Sequence, residues 1–224
     1  MEKSSLRATD ADDCRDFLAN LTAEFQITSA PVSCFLGIEV KQLEDGSVFI
    51  TQEAYTKKVL RRFHMTESKP VGTPTVSEQD PDVSVTKELA GENIPYRVAV
   101  GSLIYLATGT RPDIAYAVSV VSQKLDSATI EDWHKVKRIL RYLNATADVG
   151  ILCRHDGPRS IESFSDANYA QDVDTRRSTS GAVTEFAGGA ITWLSQKQKC
   201  VALSTTGAEI IAANEETLQC SDCQ

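Results

Sequence analysis

The chain has 224 residues, of which 42% are apolar and 24% are charged, the composition of an ordinary globular protein. Lys and Arg number 23 against 31 Asp and Glu, and the formal net charge of -8 excludes a uniformly basic nucleic-acid coat but not a local basic surface. The uncharged stretch at residues 98–110 is too short to cross a membrane, and the first residues lack the apolar core of a secretion signal. We therefore expect an intracellular protein with no membrane partner.

The six cysteines are scattered through a chain that is long enough to bury a core, so a disulfide framework is not expected. Cys220 and Cys223 have the spacing of a zinc or redox motif. No second pair completes a tetrahedral site, and the pattern favours a simple tail over a metal site.

The first part of the chain predicts a helix followed by a β-hairpin. Apolar residues at helical spacing mark residues 16–25, and the two strands are expected at 35–42 and 47–51. Glu44-Asp45-Gly46 supplies the turn between them. Gly37, inside the first strand, indicates a bulge or the close approach of another backbone.

Residues 52–63 have the period of an amphipathic helix with a basic face. Such a face either is simply solvated or contacts phosphate. Four cations within six residues of an acidic chain make phosphate contact a serious alternative. The four cations are Lys57, Lys58, Arg61 and Arg62.

Residues 66–94 are polar and carry three prolines, which predicts a linker or extended segment and a domain boundary. Three helices are expected after it, at 96–108, 112–125 and 130–143, with Thr129 as the cap of the third. The third helix has a second basic face, made of Lys135, Lys137, Arg138 and Arg141.

After Thr146 the pattern becomes β and predicts a sheet of consecutive hairpins, followed by a last helix at 205–219. The fold class is therefore α+β. The strands are expected at 151–153, 161–164, 180–186, 190–194 and 199–203.

Two carboxylates stand where a metal site could form. Asp166 follows an apolar strand and is expected at the end of a central strand, and Glu209 lies one turn into the last helix. Paired carboxylates that share divalent ions are the usual arrangement for phosphodiester hydrolysis. Spacing alone leaves open that both side chains are merely solvated.

Seven blocks of the sequence stand in an order and spacing that is typical of one family. Together they closely resemble the copia-type retrotransposon Pol polyprotein, over nearly the whole chain from about residue 16. Seven ordered blocks are far more specific than any single short motif. The blocks are Phe35–Val40 (FLGIEV), Tyr96–Leu106 (YRVAVGSLIYL), Thr110–Val118 (TRPDIAYAV), His134–Leu143 (HKVKRILRYL), Ser165–Ala170 (SDANYA), Arg176–Gly181 (RRSTSG) and Val201–Thr205 (VALST).

The resemblance implies three regions. Residues 1–66 would be the end of a reverse-transcriptase palm, with a primer-grip-like hairpin that contacts nucleic acid through Phe35, Leu36 and Gly37. Residues 67–150 would be a linker and a helical thumb. Residues 151–224 would be a partial ribonuclease H-like domain, a mixed sheet with one helix.

The resemblance also implies a chemistry. By matching position, Asp166 and Glu209 correspond to the first two metal-binding carboxylates of the family's ribonuclease H, for Mg²⁺ or alternatively Mn²⁺. The implied partner is nucleic acid, as an RNA–DNA hybrid or a primer–template duplex.

The chain departs from the family's pattern at three points. It contains no Tyr-x-Asp-Asp polymerase motif, Gly207 stands where the family usually has a Glu, and no third ribonuclease carboxylate follows the last helix. We therefore expect a catalytically incomplete piece of the polyprotein that holds its metal weakly. The alternatives are a non-catalytic nucleic-acid-binding remnant and a genomic relic without a selected role.

Overall fold

The computed structural model describes residues 11–24, 33–75, 94–172 and 175–221 and shows a mixed α+β fold with two antiparallel sheets. The helices are α1 (Ala11–Glu24), α2 (Glu53–Arg62), α3 (Tyr96–Gly109), α4 (Ala115–Ser122), α5 (Ile130–Ala145) and α6 (Thr205–Ser221), with a 3-10 turn at Pro112–Ile114 before α4. The strands are β1 (Cys34–Phe35), β2 (Ile38–Gln42), β3 (Val48–Thr51), β4 (Ile151–Cys153), β5 (Ile161–Asn168), β6 (Thr179–Phe186) and β7 (Gly189–Lys197).

The first sheet has the strand order β1-β2-β3-β4. The predicted hairpin is confirmed as β2 and β3, joined by a turn in which Gly46 has a φ of +83° and the carboxylate of Asp45 accepts a hydrogen bond from the Ser47 backbone N–H at 2.9 Å. β4 pairs with β3, so the strand at 151–153 lies in this sheet and does not begin the chain of hairpins predicted after Thr146.

Gly37 does not form a bulge within a strand. With Leu36 it makes a two-residue turn between β1 and β2, where Phe35 pairs with Ile38. Both turn residues have a positive φ, which glycine adopts freely and leucine does not.

A layer of helices encloses the main apolar core. α5 contributes four side chains that are at most 1% exposed, each worth about 1.5–3 kcal/mol of burial free energy. They pack with apolar residues of α2, α3 and α4. Thr129 caps α5 as predicted, in a reciprocal capping box with Asp132. The four α5 side chains are Val136, Ile139, Leu140 and Leu143.

Arg111 is a guanidinium buried within this helical layer, 1% exposed. It donates two hydrogen bonds to the Asp113 carboxylate, at 2.9 and 2.7 Å, and two to the carbonyl and hydroxyl oxygens of Thr146, both at 2.7 Å. Burial opposes ionisation of Asp113, but the hydrogen bonds and charge of Arg111 and a bond from the Tyr142 hydroxyl outweigh it and lower the pKa of Asp113. Through its bonds to Asp113 and Thr146, Arg111 thus joins the residues just before α4 to the end of α5.

The second sheet has the order β5-β6-β7 and carries α6 on one face. The buried Gln198 side chain donates to the Ser180 hydroxyl at 3.0 Å and to the Ala208 carbonyl of α6 at 2.9 Å. Ser180, Ala182 and Thr184, which share one face of β6, are all buried. α6 therefore covers the face to which these residues belong.

The structure corrects two further expectations for this region. Residues 199–203 form no strand, because the ladder ends at Lys197 and the chain then turns into α6 with Ala202 buried and Leu203 95% exposed. Within the described residues β5 is an edge strand and not a central one. The predicted linker is described only for residues 66–75 and 94, and part of the Cys220–Cys223 pair lies outside the described residues.

Candidate nucleic-acid interface

The basic face of α2 is exposed as predicted. Thr56, Val59 and Leu60 are buried on the opposite side of the helix, which packs on α5. All four cations that the sequence singles out are on the exposed side, and we call them the α2 basic face. They are Lys57, Lys58, Arg61 and Arg62.

The four cations are not equally available to a ligand. Lys57 is paired with Glu53 at 2.5 Å, and this hydrogen bond and charge raise its pKa. The Nε atom of Arg61 donates to the Lys57 carbonyl at 3.3 Å, and its terminal nitrogens make no hydrogen bond to another described residue. Within the part of the chain that the structure describes, Lys58 and Arg62 are in no ion pair. The face therefore offers three uncompensated positive charges and one that is shared.

The β1–β2 turn lies beside the start of α2. Phe35 is half-buried, whereas Leu36 and Gly37 are exposed, and Leu36 is 64% exposed. The Glu39 carboxylate accepts a hydrogen bond from the Ala54 backbone N–H at 2.9 Å, which caps the first turn of α2. The three predicted hairpin residues and the α2 basic face are thus held in one structural unit.

The second basic face, on α5, is largely occupied by contacts within the chain. Lys135 is paired with Glu131 at 3.1 Å, and Lys137 lies 5.7 Å from the centre of the Trp133 ring. Two arginines of α5 form hydrogen bonds with the segment 66–75. Arg138 donates to the Thr73 hydroxyl at 2.9 Å, and Arg141 donates to the Lys69 carbonyl at 2.6 Å. These cations hold the polar segment on the helix, a role that their spacing in the sequence does not reveal.

Asp166 and Glu209 are both exposed, and within the described residues neither carboxylate is in an ion pair or a hydrogen bond. Asp166 pairs in register with Gly181, and Gly181 with Ser195, so Asp166 lies on the face of the second sheet that α6 does not cover. Glu209 belongs to α6 on the other face. An ion bound to both would have to lie at the free edge of β5.

The donor atoms of the two residues suit a hard divalent cation, which prefers oxygen ligands. Among the described residues, however, no group of three or more His, Cys, Asp or Glu side chains is placed to hold a metal ion. The metal assignment of Asp166 and Glu209 thus stays a prediction.

An open cavity of about 490 Å³ separates the uncovered sheet face from α4. Asp166 lines it together with Tyr116, Phe164 and Trp193. The indole Nε1 of Trp193 donates to the Ala107 carbonyl at 2.6 Å and so ties β7 to α3. The second sheet and the helical layer are therefore in direct contact through β7.

Sequence reasoning did not identify Tyr105 as part of the interface. Its hydroxyl donates a hydrogen bond to the Leu36 carbonyl, and its ring meets the Tyr55 ring edge-on with centroids 4.7 Å apart. The contact joins residues 69 positions apart. No local pattern signals such a contact, although Tyr105 belongs to one of the seven family blocks.

No described helix combines the length and apolar character that a bilayer crossing would need.

Comparison with known proteins agrees with the resemblance. Residues 4–77 match the family described as reverse transcriptase (RNA-dependent DNA polymerase). The chain is 42% identical over 191 residues to the retrovirus-related Pol polyprotein from transposon TNT 1-94 of Nicotiana tabacum, an alignment that covers 83% of this chain and 14% of the polyprotein. It is 40% identical over 179 residues to the corresponding polyprotein from transposon RE2 of Arabidopsis thaliana, covering 78% of this chain and 12% of that one.

An uncharacterized mitochondrial protein of Arabidopsis thaliana is 35% identical over 179 residues, with 80% of this chain and 73% of that protein covered. No solved structure matches the chain. The chain spans about one seventh or less of the length of the two Pol polyproteins. It belongs to the family of copia-type retrotransposon Pol polyproteins.

Proposed function

We propose that this chain is the part of a copia-type Pol polyprotein that binds an RNA–DNA hybrid or a primer–template duplex where the reverse transcriptase meets ribonuclease H. In this proposal residues 1–66 form the end of the palm, 67–150 the linker and thumb, and 151–224 the ribonuclease H-like part. The observation that carries the proposal is the α2 basic face, a compact set of exposed cations in a chain of net charge -8, on a helix whose first turn is bonded to the β1–β2 hairpin.

The physical basis of binding is the release of counterions from the phosphate backbone. Each phosphate that a cation neutralises contributes about 0.9 to the slope of log K against log salt for a duplex. Because Lys57 is shared with Glu53, we expect the α2 basic face to supply about three such contacts.

The test is the salt dependence of binding to a primer–template duplex, measured by fluorescence anisotropy. Replacing all four cations of the α2 basic face with Ala should weaken binding to every sequence alike and reduce the salt slope by about three. A matched variant removes four other exposed cations and therefore changes the net charge equally. Those are Lys124, Arg154, Arg159 and Lys199. Equal losses in the two variants would show that overall charge, and not the α2 basic face, governs binding.

We further propose that Asp166 and Glu209 provide two carboxylate ligands of a ribonuclease H-like site for Mg²⁺ or Mn²⁺. The proposal is supported by their exposure and by the absence of any competing cation partner among the described residues. Two carboxylates leave most of the octahedral positions of Mg²⁺ to water, so we expect weak binding and absent or very slow hybrid cleavage by this chain.

Calorimetric titration with Mn²⁺ tests the site independently of catalysis. Asp166→Asn and Glu209→Gln should each abolish the weak binding, whereas Glu162→Gln, on the same strand, should leave it unchanged. If Asp166→Asn alone abolishes binding, the two residues do not share an ion. Rapid hybrid cleavage by the parent chain would contradict the expected incompleteness and would exclude the non-catalytic alternative.

A further inference from the structure

The β1–β2 turn is held in a conformation that its sequence does not favour. Leu36 has a φ of +49° and Gly37 a φ of +77°, the pattern of a tight hairpin turn with two left-handed residues. Asn or Gly is the usual residue at the first of these positions, because an ordinary L-residue is penalised in the left-handed region. Leu36 is also 64% exposed, so the apolar side chain gains little from burial.

Strain of this kind persists only where the surrounding structure imposes it. The Tyr105 hydroxyl, from α3, donates to the carbonyl of Leu36 itself. The ring of Tyr105 is in turn fixed edge-on against Tyr55 of α2, with an interplanar angle of 72°. The turn is therefore fastened to two helices through one side chain.

Gly37 is required at this contact for a second reason besides its φ. A Cβ atom at Gly37 would lie 2.9 Å from the Tyr105 hydroxyl oxygen, closer than real Cβ contacts allow. A Cβ at this position would displace the Tyr105 hydroxyl from its place at the Leu36 carbonyl. The close approach that Gly37 suggests in the sequence is thus made by a side chain, that of Tyr105.

We propose that Tyr105 is a positioning residue that holds the strained β1–β2 turn so that Leu36 presents an apolar contact at a fixed place relative to the start of α2, the helix that carries the α2 basic face. The ligand that matches this surface is a nucleic-acid strand whose phosphates meet the cations while a sugar or base face packs on Leu36. The inference rests on the proposed function, since it concerns the same interface.

Two substitutions separate this positioning role from a purely structural one. Leu36→Asn should relieve the strain, because Asn tolerates the left-handed region, and should raise the thermal midpoint by about 2 °C. The same change removes the apolar contact and should weaken duplex binding about three- to tenfold. A turn without a role in binding would become more stable with no loss of affinity.

Tyr105→Phe removes the hydroxyl but keeps the ring against Tyr55. It should weaken duplex binding about three- to tenfold, with the salt slope unchanged because no phosphate contact is lost. Tyr169→Phe is the matched control: Tyr169 is 39% exposed and Tyr105 is 37% exposed, and the Tyr169 hydroxyl has no hydrogen bond within the described part of the chain. The control should bind like the parent.

Both variants are measured beside the Ala variant of the α2 basic face. If the Ala variant binds weakly while Leu36→Asn and Tyr105→Phe bind like the parent, the positioning role is wrong and the proposed function stands. If the Ala variant binds like the parent, the proposed function fails and the positioning role fails with it. Weakened binding by Tyr105→Phe accompanied by a reduced salt slope would also overturn the inference. The substitution would then have disturbed the phosphate contacts of the α2 basic face and not only the position of Leu36.

Discussion

Replacing Arg111 with Met should destabilise the chain far more than removing an exposed ion pair. The substitution keeps the apolar bulk of the side chain but deletes four hydrogen bonds of 2.7–2.9 Å. It leaves the carboxylate of Asp113 with the Tyr142 hydroxyl as its hydrogen-bond partner and leaves the Thr146 carbonyl without the guanidinium. The loss of unfolding free energy comes mainly from the Asp113 carboxylate, because its negative charge stays partly desolvated without the Arg111 counterion.

The magnitude follows from the burial of the two partners. Breaking a buried pair by removing one partner costs about 3–5 kcal/mol, and the lower end applies here because Arg111 is 1% exposed while Asp113 is 29% exposed. A loss of about 3 kcal/mol in a chain of this size lowers the thermal midpoint by about 6–12 °C. The matched control is Arg97→Met, whose pair with Asp126 is 69% and 91% exposed and is worth at most about 1 kcal/mol.

Urea denaturation followed by tryptophan fluorescence and by circular dichroism measures both variants. The double variant Arg111→Met with Asp113→Asn should regain part of the lost free energy, because it removes the uncompensated charge. A cost for Arg111→Met no larger than that of Arg97→Met would refute the reasoning. So would a double variant that is no more stable than Arg111→Met alone.

Two further predictions concern acid stability and one helix. Because the pKa of Asp113 is lower in the folded chain than the ordinary unfolded value of about 3.9, its stabilising contribution is complete above that value and is lost as the pH falls through the folded-state pKa. The difference in unfolding free energy between the parent and Asp113→Asn should therefore shrink below about pH 4, as measured by urea denaturation across a pH series; a constant difference would contradict it. Gly101→Ala should stabilise α3 by up to about 1 kcal/mol, since a Cβ there meets no atom within 4 Å. The control Gly150→Ala should destabilise the chain, since its Cβ would lie 2.3 Å from the Ile50 carbonyl oxygen, and equal thermal midpoints for the two variants would rule out the steric argument.

Local patterns predicted the elements that depend on local physics. The amphipathic period of α2 and α5, the Thr129 cap and the turn at Gly46 all follow from neighbouring residues, and each is present. The exposure of the α2 basic face follows from the same period, because an apolar stripe on one side of a helix places the cations on the other.

Contacts between distant residues could not be predicted in this way. β4 pairs with β3 across about one hundred residues, and its short apolar run is equally compatible with any neighbouring strand. The short apolar run at residues 199–203 resembles a strand, yet the buried Gln198 side chain bonds to α6 and the chain turns there. The Arg111 side chain is likewise indistinguishable from a surface cation until the Thr146 oxygens are seen beside it.

The same long-range contacts explain how an acidic chain can keep a usable basic surface. On α5 Lys135 is paired with Glu131, and Arg138 and Arg141 are half-buried and bonded to the 66–75 segment, so these side chains are less available to an external polyanion than those of the α2 basic face. On α2 the Glu53 carboxylate is used by Lys57 and Lys41 at the start of the helix, and the last turn retains Arg61 and Arg62 without a carboxylate partner in the described chain. Because the end of a helix carries a partial negative charge, two arginines there are also favourable to the helix itself. Helix stability and phosphate binding therefore favour cations at the same positions. For this reason Ala variants of the α2 basic face must be compared with the parent at an equal folded fraction. A loss of binding can then be assigned to the loss of phosphate contacts.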